Sequence, residues 1–153
     1  RVLFRSVSDY EQVKKAVQQI VDELGEPDIL VCNAGGGAGG LSDNRASEMN
    51  LDQYHTIIHR NLTGTIHTVM AVAPMMKKNK SGKIVTVTSH TGQVAVSNGA
   101  YSHYGVAKAG IIQYTKLLAQ ARLLIMLSPS IFREMILNFG TLRALLITLE
   151  AGS

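Results

Sequence analysis

The chain has 153 residues, 46% of them hydrophobic and 17% charged, enough for one domain with a core. This balance excludes a disordered or low-complexity chain. Fifteen basic against eleven acidic residues leave a net charge of +4, scattered except for Lys77-Lys78-Asn79-Lys80. That short run reads as a solvated helix end, so no nucleic-acid partner is expected. Trp is absent and aromatics are 5%, so Val, Ile, Leu, Met and Ala must build the core. The single cysteine, Cys32, has no internal disulfide partner and suits a reducing, cytoplasmic setting. No secretory leader and no uncharged apolar stretch of about 18 residues is visible, so no membrane span is expected.

In chain order, Asp9 to Leu24 reads as an amphipathic helix. Val13, Val17, Ile20, Val21 and Leu24 share one face, with Ser8 or Asp9 as the cap and Gly25 as the stop. Asp28 to Cys32 has no polar alternation, the pattern of a parallel strand buried on both faces. A glycine-rich loop follows from Asn33 to Gly40. One long helix is expected from Leu51 to about Lys78. Lys83 to Ser89 is β-branched and reads as a strand, introduced by the Ser81-Gly82 turn. A polar loop, His90 to Gly99, precedes a helix expected from Ser102 to about Leu127. Beyond Gln120 the character shifts. Ile131, Phe132, Met135, Ile136 and Phe139 suggest another helix, and no clear strand is read there. The alternation of helix and strand is that of a doubly wound parallel sheet.

Tyr104 and Lys108 are four residues apart in a predicted helix, which places them on one face, one turn apart. An ammonium beside a phenol favours the phenolate, and such a pair can move a proton to or from a substrate oxygen. The same spacing occurs at Tyr10 and Lys14, but that pair lies on the polar face of the first helix. What singles out Tyr104 is the buried strand before it, which ends in Ser89, because open α/β sheets bind ligands at the carboxyl ends of strands. The Ser89 hydroxyl has two readings: donor to a substrate oxygen, or partner for local backbone at a strand end. Gly35 to Gly40 formally matches G-x-G-x-x-G, but Leu41-Ser42-Asp43-Asn44-Arg45 follows it as loop. A phosphate cradle needs a helix to open there, so a flexible loop beside the site is the preferred reading. His55 and His59 are spaced as a helical metal pair, yet no third ligand is evident and no metal is expected. His90 and His103 flank the proposed site, so either is a candidate for substrate contact.

Taken together the motifs resemble the short-chain dehydrogenase/reductase family. Asp28 to Gly35 resembles its strand followed by Asn-Ala-Gly, with Cys32 where a second Asn is common. Asn61-Leu62-Thr63-Gly64 resembles the segment of its central helix. Ser81 to Ser89 resembles its serine strand, and Tyr104-Gly105-Val106-Ala107-Lys108 its Tyr-x-x-x-Lys helix. The resemblance implies an α/β fold, part of a Rossmann-type doubly wound parallel sheet in three layers, truncated at both ends. It places the central part of that domain at 7–119, a non-family leader at 1–6 and a divergent, helical tail at 120–153. It also implies an oxidoreductase that interconverts an alcohol and a ketone or aldehyde with NAD or NADP, the choice between the two left open. Tyr104 would be the acid/base, Lys108 would hold the nicotinamide ribose and lower the Tyr104 pKa, and Ser89 would polarise the substrate oxygen. Asn61 would anchor a relay water, and Asn33, Ala34 and Gly35 would line the adenosine side of the cleft. A homo-oligomer is in keeping with the family. The alternative is a catalytically inactive fragment unable to bind cofactor on its own, since the family's Thr-Gly-x-x-x-Gly-x-Gly loop has no counterpart here. Loss of that unit would leave an edge of the parallel sheet exposed and the chain poorly soluble.

Overall fold

The structure is a computed structural model that describes residues 6–120 in full and the backbone of residues 124–127 and 144–147. It opens with α1 (Tyr10–Leu24), whose first turn is closed by the Asp9 carboxylate accepting from the Gln12 N–H at 3.1 Å. Gly25 ends it at φ 85°, a left-handed stop that suits glycine. Strand β1 (Ile29–Cys32) follows, and all four of its residues are buried.

The expected single helix from Leu51 to Lys78 is instead three pieces. These are α2 (Leu51–Ile58), a wide π-type turn over His59–Thr63, and α3 (Gly64–Lys78). Nothing in the 3.6-residue periodicity marks the wide turn, because the helix axis continues through it. Gly64 follows this turn where a Cβ would stand 2.3 Å from Val7 Cγ2, so only glycine admits the segment before α1 at this distance. Strand β2 (Lys83–Thr86) and α4 (Ser102–Gln120) complete the central part.

The predicted last helix was too long. α4 stops at Gln120, and β3 (Leu124–Leu127) follows. A further strand, β4 (Ala144–Ile147), lies where no strand was expected. Four-residue runs such as Leu-Ile-Met-Leu and Ala-Leu-Leu-Ile carry no period that separates strand from helix; pairing with a neighbour decides between them. The amphipathic helix suggested around Ile131 to Phe139 lies outside the described residues.

The four strands form one parallel sheet in the order β3-β2-β1-β4. Register is even across it: Ile29 stands opposite Lys83 on one side and Ala144 on the other, and Lys83 opposite Leu124. The edge of β1 that was expected to be bare is thus paired with β4. On one face Leu30, Cys32 and Ile84 pack with Val13 and Val17 of α1 and with Val69, Val72, Ala73 and Met76 of α3, while Tyr114 and Leu118 of α4 close over them. Burying a side chain such as Leu30 or Ile84 contributes roughly 2–3 kcal/mol. On the other face Ile29, Val31 and Val85 form a separate buried cluster to which the described helices contribute no member. The described residues therefore present the sheet and one of its two helical layers. Among them no helix is long and apolar enough to cross a membrane.

Candidate active site

Because β1 and β2 are parallel with Cys32 opposite Thr86, the chain leaves both strands at the same end of the sheet. The Val87 N–H donates to the Cys32 carbonyl at 3.1 Å, which keeps the two exits side by side. The Asn33–Gly40 loop and the segment carrying Ser89 therefore meet at the carboxyl ends of the strands, where open α/β sheets hold their ligands. α4 packs beside them and brings Tyr104 and Lys108 to this end.

Lys108 is buried, 4% exposed. Its ammonium donates to the Val87 carbonyl at 3.0 Å and lies 5.4 Å from the Tyr104 ring centroid. Two of its three N–H groups are left for other partners. Burial holds its pKa down to about 8. Tyr104 is half-buried, and its phenol stands above its ordinary pKa. Desolvation pushes the phenol up, the neighbouring Tyr101 phenol pushes it the same way, and the Ser89 hydroxyl pulls it back.

Ser89 takes the second of its readings, that of a partner for local backbone. It caps a short turn over His90–Gly92, and its oxygen accepts from the Thr91 hydroxyl at 3.0 Å and from the Thr91 N–H at 3.3 Å. The Ser89 O–H, its one donor, remains directed by these bonds and interacts with Tyr104.

The wide turn after α2 exists around Asn61, which is wholly buried. Its amide oxygen accepts from the Gly36 N–H at 3.1 Å, and its amide nitrogen donates to the carbonyls of Gly36 at 2.8 Å and Ile57 at 3.0 Å. The side chain thus acts as a short rung of sheet between helix and loop. A Cβ on Gly35 would lie 2.5 Å from Asn61 Oδ1 and 3.6 Å from Lys108 Nζ, so Gly35, Asn61 and Lys108 share one site. Asn33 and Ala34, half-buried, lead into it from β1.

The glycine-rich loop is neither a phosphate cradle nor loose. No helix opens until Leu51. The loop is held from three sides: by Asn61 on Gly36, by His103 Nε2 donating to the Ala38 carbonyl at 3.0 Å, and by Tyr101, whose hydroxyl lies 1.4 Å from where a Gly37 Cβ would stand. Gly35, Gly37 and Gly39 answer to close approach, while a Cβ on Gly36 would meet nothing within 4 Å. His103 is thus a buried brace, while His90 is exposed. Sequence reasoning passed over Tyr101, which stands before α4 in a left-handed conformation that no helical spacing signals. The Tyr101 and Tyr104 ring centroids are 5.1 Å apart.

Other candidates fall away from this site. Lys14 pairs with Glu11 at 2.9 Å on an exposed face, and Tyr10 packs against His67. His55 lies against Tyr54, and the described residues contain no group of metal ligands. For a nicotinamide cofactor the fit is that of one end: the free N–H groups of Lys108 beside Gly35 suit ribose hydroxyls. Among the described residues no glycine loop stands at a helix N-terminus to take a pyrophosphate.

Residues 2–123 match the family described as short chain dehydrogenase, a span slightly wider than the 7–119 that carries the motifs. Over 114 residues the chain is 52% identical to a cyclohexanol dehydrogenase of Rhodococcus sp. (strain TK6), an alignment covering 74% of this chain and 42% of the relative. It is 35% identical over 118 residues to the 3-oxoacyl-(acyl-carrier-protein) reductase of Escherichia coli (strain K12), with 77% and 46% covered. A gluconate 5-dehydrogenase from Burkholderia cenocepacia J2315, solved with NADP and tartrate, superposes with a TM-score of 0.70 at 27% identity over 80% of this chain and 46% of that one. A 3-oxoacyl-(acyl-carrier-protein) reductase from Brucella melitensis with bound NAD gives 0.65 at 33% identity over 76% and 44%. The chain spans less than half the length of each.

Proposed function

The chain belongs to the short chain dehydrogenase family, and from that premise we propose that it carries the acid/base half of an NAD(P)-dependent oxidoreductase that interconverts an alcohol and a ketone or aldehyde. The observation that supports this most is the meeting of Ser89, Tyr104, Lys108, Asn61 and Gly35 at the carboxyl ends of β1 and β2. Either NAD or NADP would supply the hydride acceptor, and relatives solved with each of them share this fold. The chain's own residues do the rest. The Ser89 O–H, its oxygen already bonded by Thr91, donates to the substrate oxygen and fixes it. Tyr104 exchanges a proton with that oxygen as the carbon is oxidised or reduced. The two free N–H groups of Lys108 hold the ribose, and its charge supports the Tyr104 phenolate as it forms. Asn33, Ala34 and Gly35 line the adenosine side. Asn61 braces Gly36, and its carbonyl, which also accepts from the Thr65 hydroxyl at 2.8 Å, is the seat for a relay water. The substrate is a small-molecule alcohol or ketone.

Titration of NADH and NADPH against the full chain, followed by nicotinamide fluorescence, tests the cofactor side of this reading. Saturable binding of one of them is expected, weakened about 10-fold in Lys108→Ala by loss of two hydrogen bonds. No binding of either at millimolar cofactor overturns it.

A further inference from the structure

Between Ser89 and Tyr104 the chain makes two short turns and passes through three left-handed residues: Asn98 at φ 59°, Gly99 at φ 62° and Tyr101 at φ 55°. Asn and Gly take this conformation at little cost. For a bulky aromatic it is strained, and strain of this kind persists only where the surroundings over-determine it. They do so here. The Tyr101 N–H donates to the Asp43 carbonyl at 2.7 Å, the Ser102 N–H to the Asn44 carbonyl at 3.1 Å, and the Gly105 N–H to the Tyr101 carbonyl at 3.1 Å. What the strained backbone achieves is the placement of one ring. It stands edge-on to His103 at 5.1 Å and tilted against Tyr104 at 5.1 Å, and its hydroxyl occupies the space above Gly37. The ring is half-buried, and its hydroxyl has no hydrogen-bond partner among the described residues.

We propose that Tyr101 is the specificity-determining wall of the substrate site, selecting secondary alcohols whose reacting carbon is part of an alicyclic ring. The proposal rests on the reading of Tyr104 as the acid/base. The Tyr101 ring packs directly against the Tyr104 ring, centroids 5.1 Å apart, so a substrate whose oxygen bonds to Tyr104 has Tyr101 as the neighbouring wall. That ring offers area and no charge, so it favours an alicyclic substrate over a short acyclic one. A buried contact of this kind discriminates by about 10-fold or more. Gly37 belongs to the same device, since any side chain there would displace the Tyr101 hydroxyl.

The test uses the full chain with NAD or NADP, and compares kcat/KM for cyclohexanol with that for 2-propanol. Tyr101→Gly relieves the left-handed backbone and removes the ring; Tyr101→Phe keeps the ring. The proposal expects Tyr101→Gly to lower the cyclohexanol to 2-propanol ratio about 10-fold with a thermal midpoint unchanged or higher. Tyr101→Phe should keep the wild-type ratio. A merely structural tyrosine would show the opposite pattern, a lowered midpoint with an unchanged ratio, and that result overturns the proposal. If the wild-type chain turns over both alcohols and Tyr101→Gly leaves the ratio intact, the proposal fails while the function stands. If the wild-type chain turns over neither alcohol, the reading of the function fails and the proposal with it.

Discussion

Among the described residues Lys108 has one hydrogen-bond partner, the Val87 carbonyl, and no carboxylate beside it. Its folded pKa of about 8 lies below the ordinary 10.5, because burial disfavours the ammonium. The unfolded chain therefore binds more protons than the folded one between about pH 8 and 10.5, so stability rises with pH across that window. Below it the burial penalty is present in full. Replacing this residue removes the penalty along with the bond to Val87. Lys108→Met is expected to be more stable than wild type by about 2 kcal/mol near pH 7, the gain fading as pH rises from 8 to 10.5. Urea unfolding at several pH values measures it, and a variant less stable at pH 7 would show that the ammonium is well paired. Tyr104 and Lys108 were legible in the sequence because the strand ending in Ser89 precedes them; their four-residue spacing alone recurs at Tyr10 and Lys14. The direction of the Tyr104 shift was not, because it depends on burial and on Tyr101, which meet only after folding.

At the scale of elements, the wide turn over His59–Thr63 is the least legible feature and one of the most consequential. An unbroken helix through Leu51–Lys78 would satisfy the same periodicity while turning Asn61 elsewhere. Three hydrogen bonds decide the matter, two of them to Gly36, twenty-five residues away in sequence. Asn61→Ala leaves the Gly36 amide and carbonyl and the Ile57 carbonyl without this partner. It is expected to cost about 2–4 kcal/mol, seen as a lower urea midpoint with an unchanged slope. A loss below about 0.5 kcal/mol, the level of an ordinary surface substitution, would mean that water replaces the amide and that the turn does not depend on it. By contrast β1 and β2 were plain from their unbroken Ile, Leu and Val runs. The strands at Leu124–Leu127 and Ala144–Ile147 were missed because Leu, Met and Ala sit as well in helices as in buried strands, and only the sheet edges offered by β2 and β1 select between the two.

For the whole molecule, the parallel order β3-β2-β1-β4 delivers both active loops to one end of the sheet. β4 gives β1 a partner on the side where the motifs left none. The chain spans 42–46% of the curated relatives described above, and within that span lie Ser89, Tyr104, Lys108 and Asn61, the residues proposed to handle the proton and to hold one end of a nicotinamide cofactor. The central claim is that Tyr104 moves the proton. The direct measurement is the absorbance of reduced nicotinamide formed from cyclohexanol and NAD or NADP by the full chain and by Tyr104→Phe, with thermal midpoints recorded for both. The account predicts turnover by the wild type, at least ~100-fold slower turnover by the variant, and closely similar midpoints; equal rates in the two proteins would contradict it.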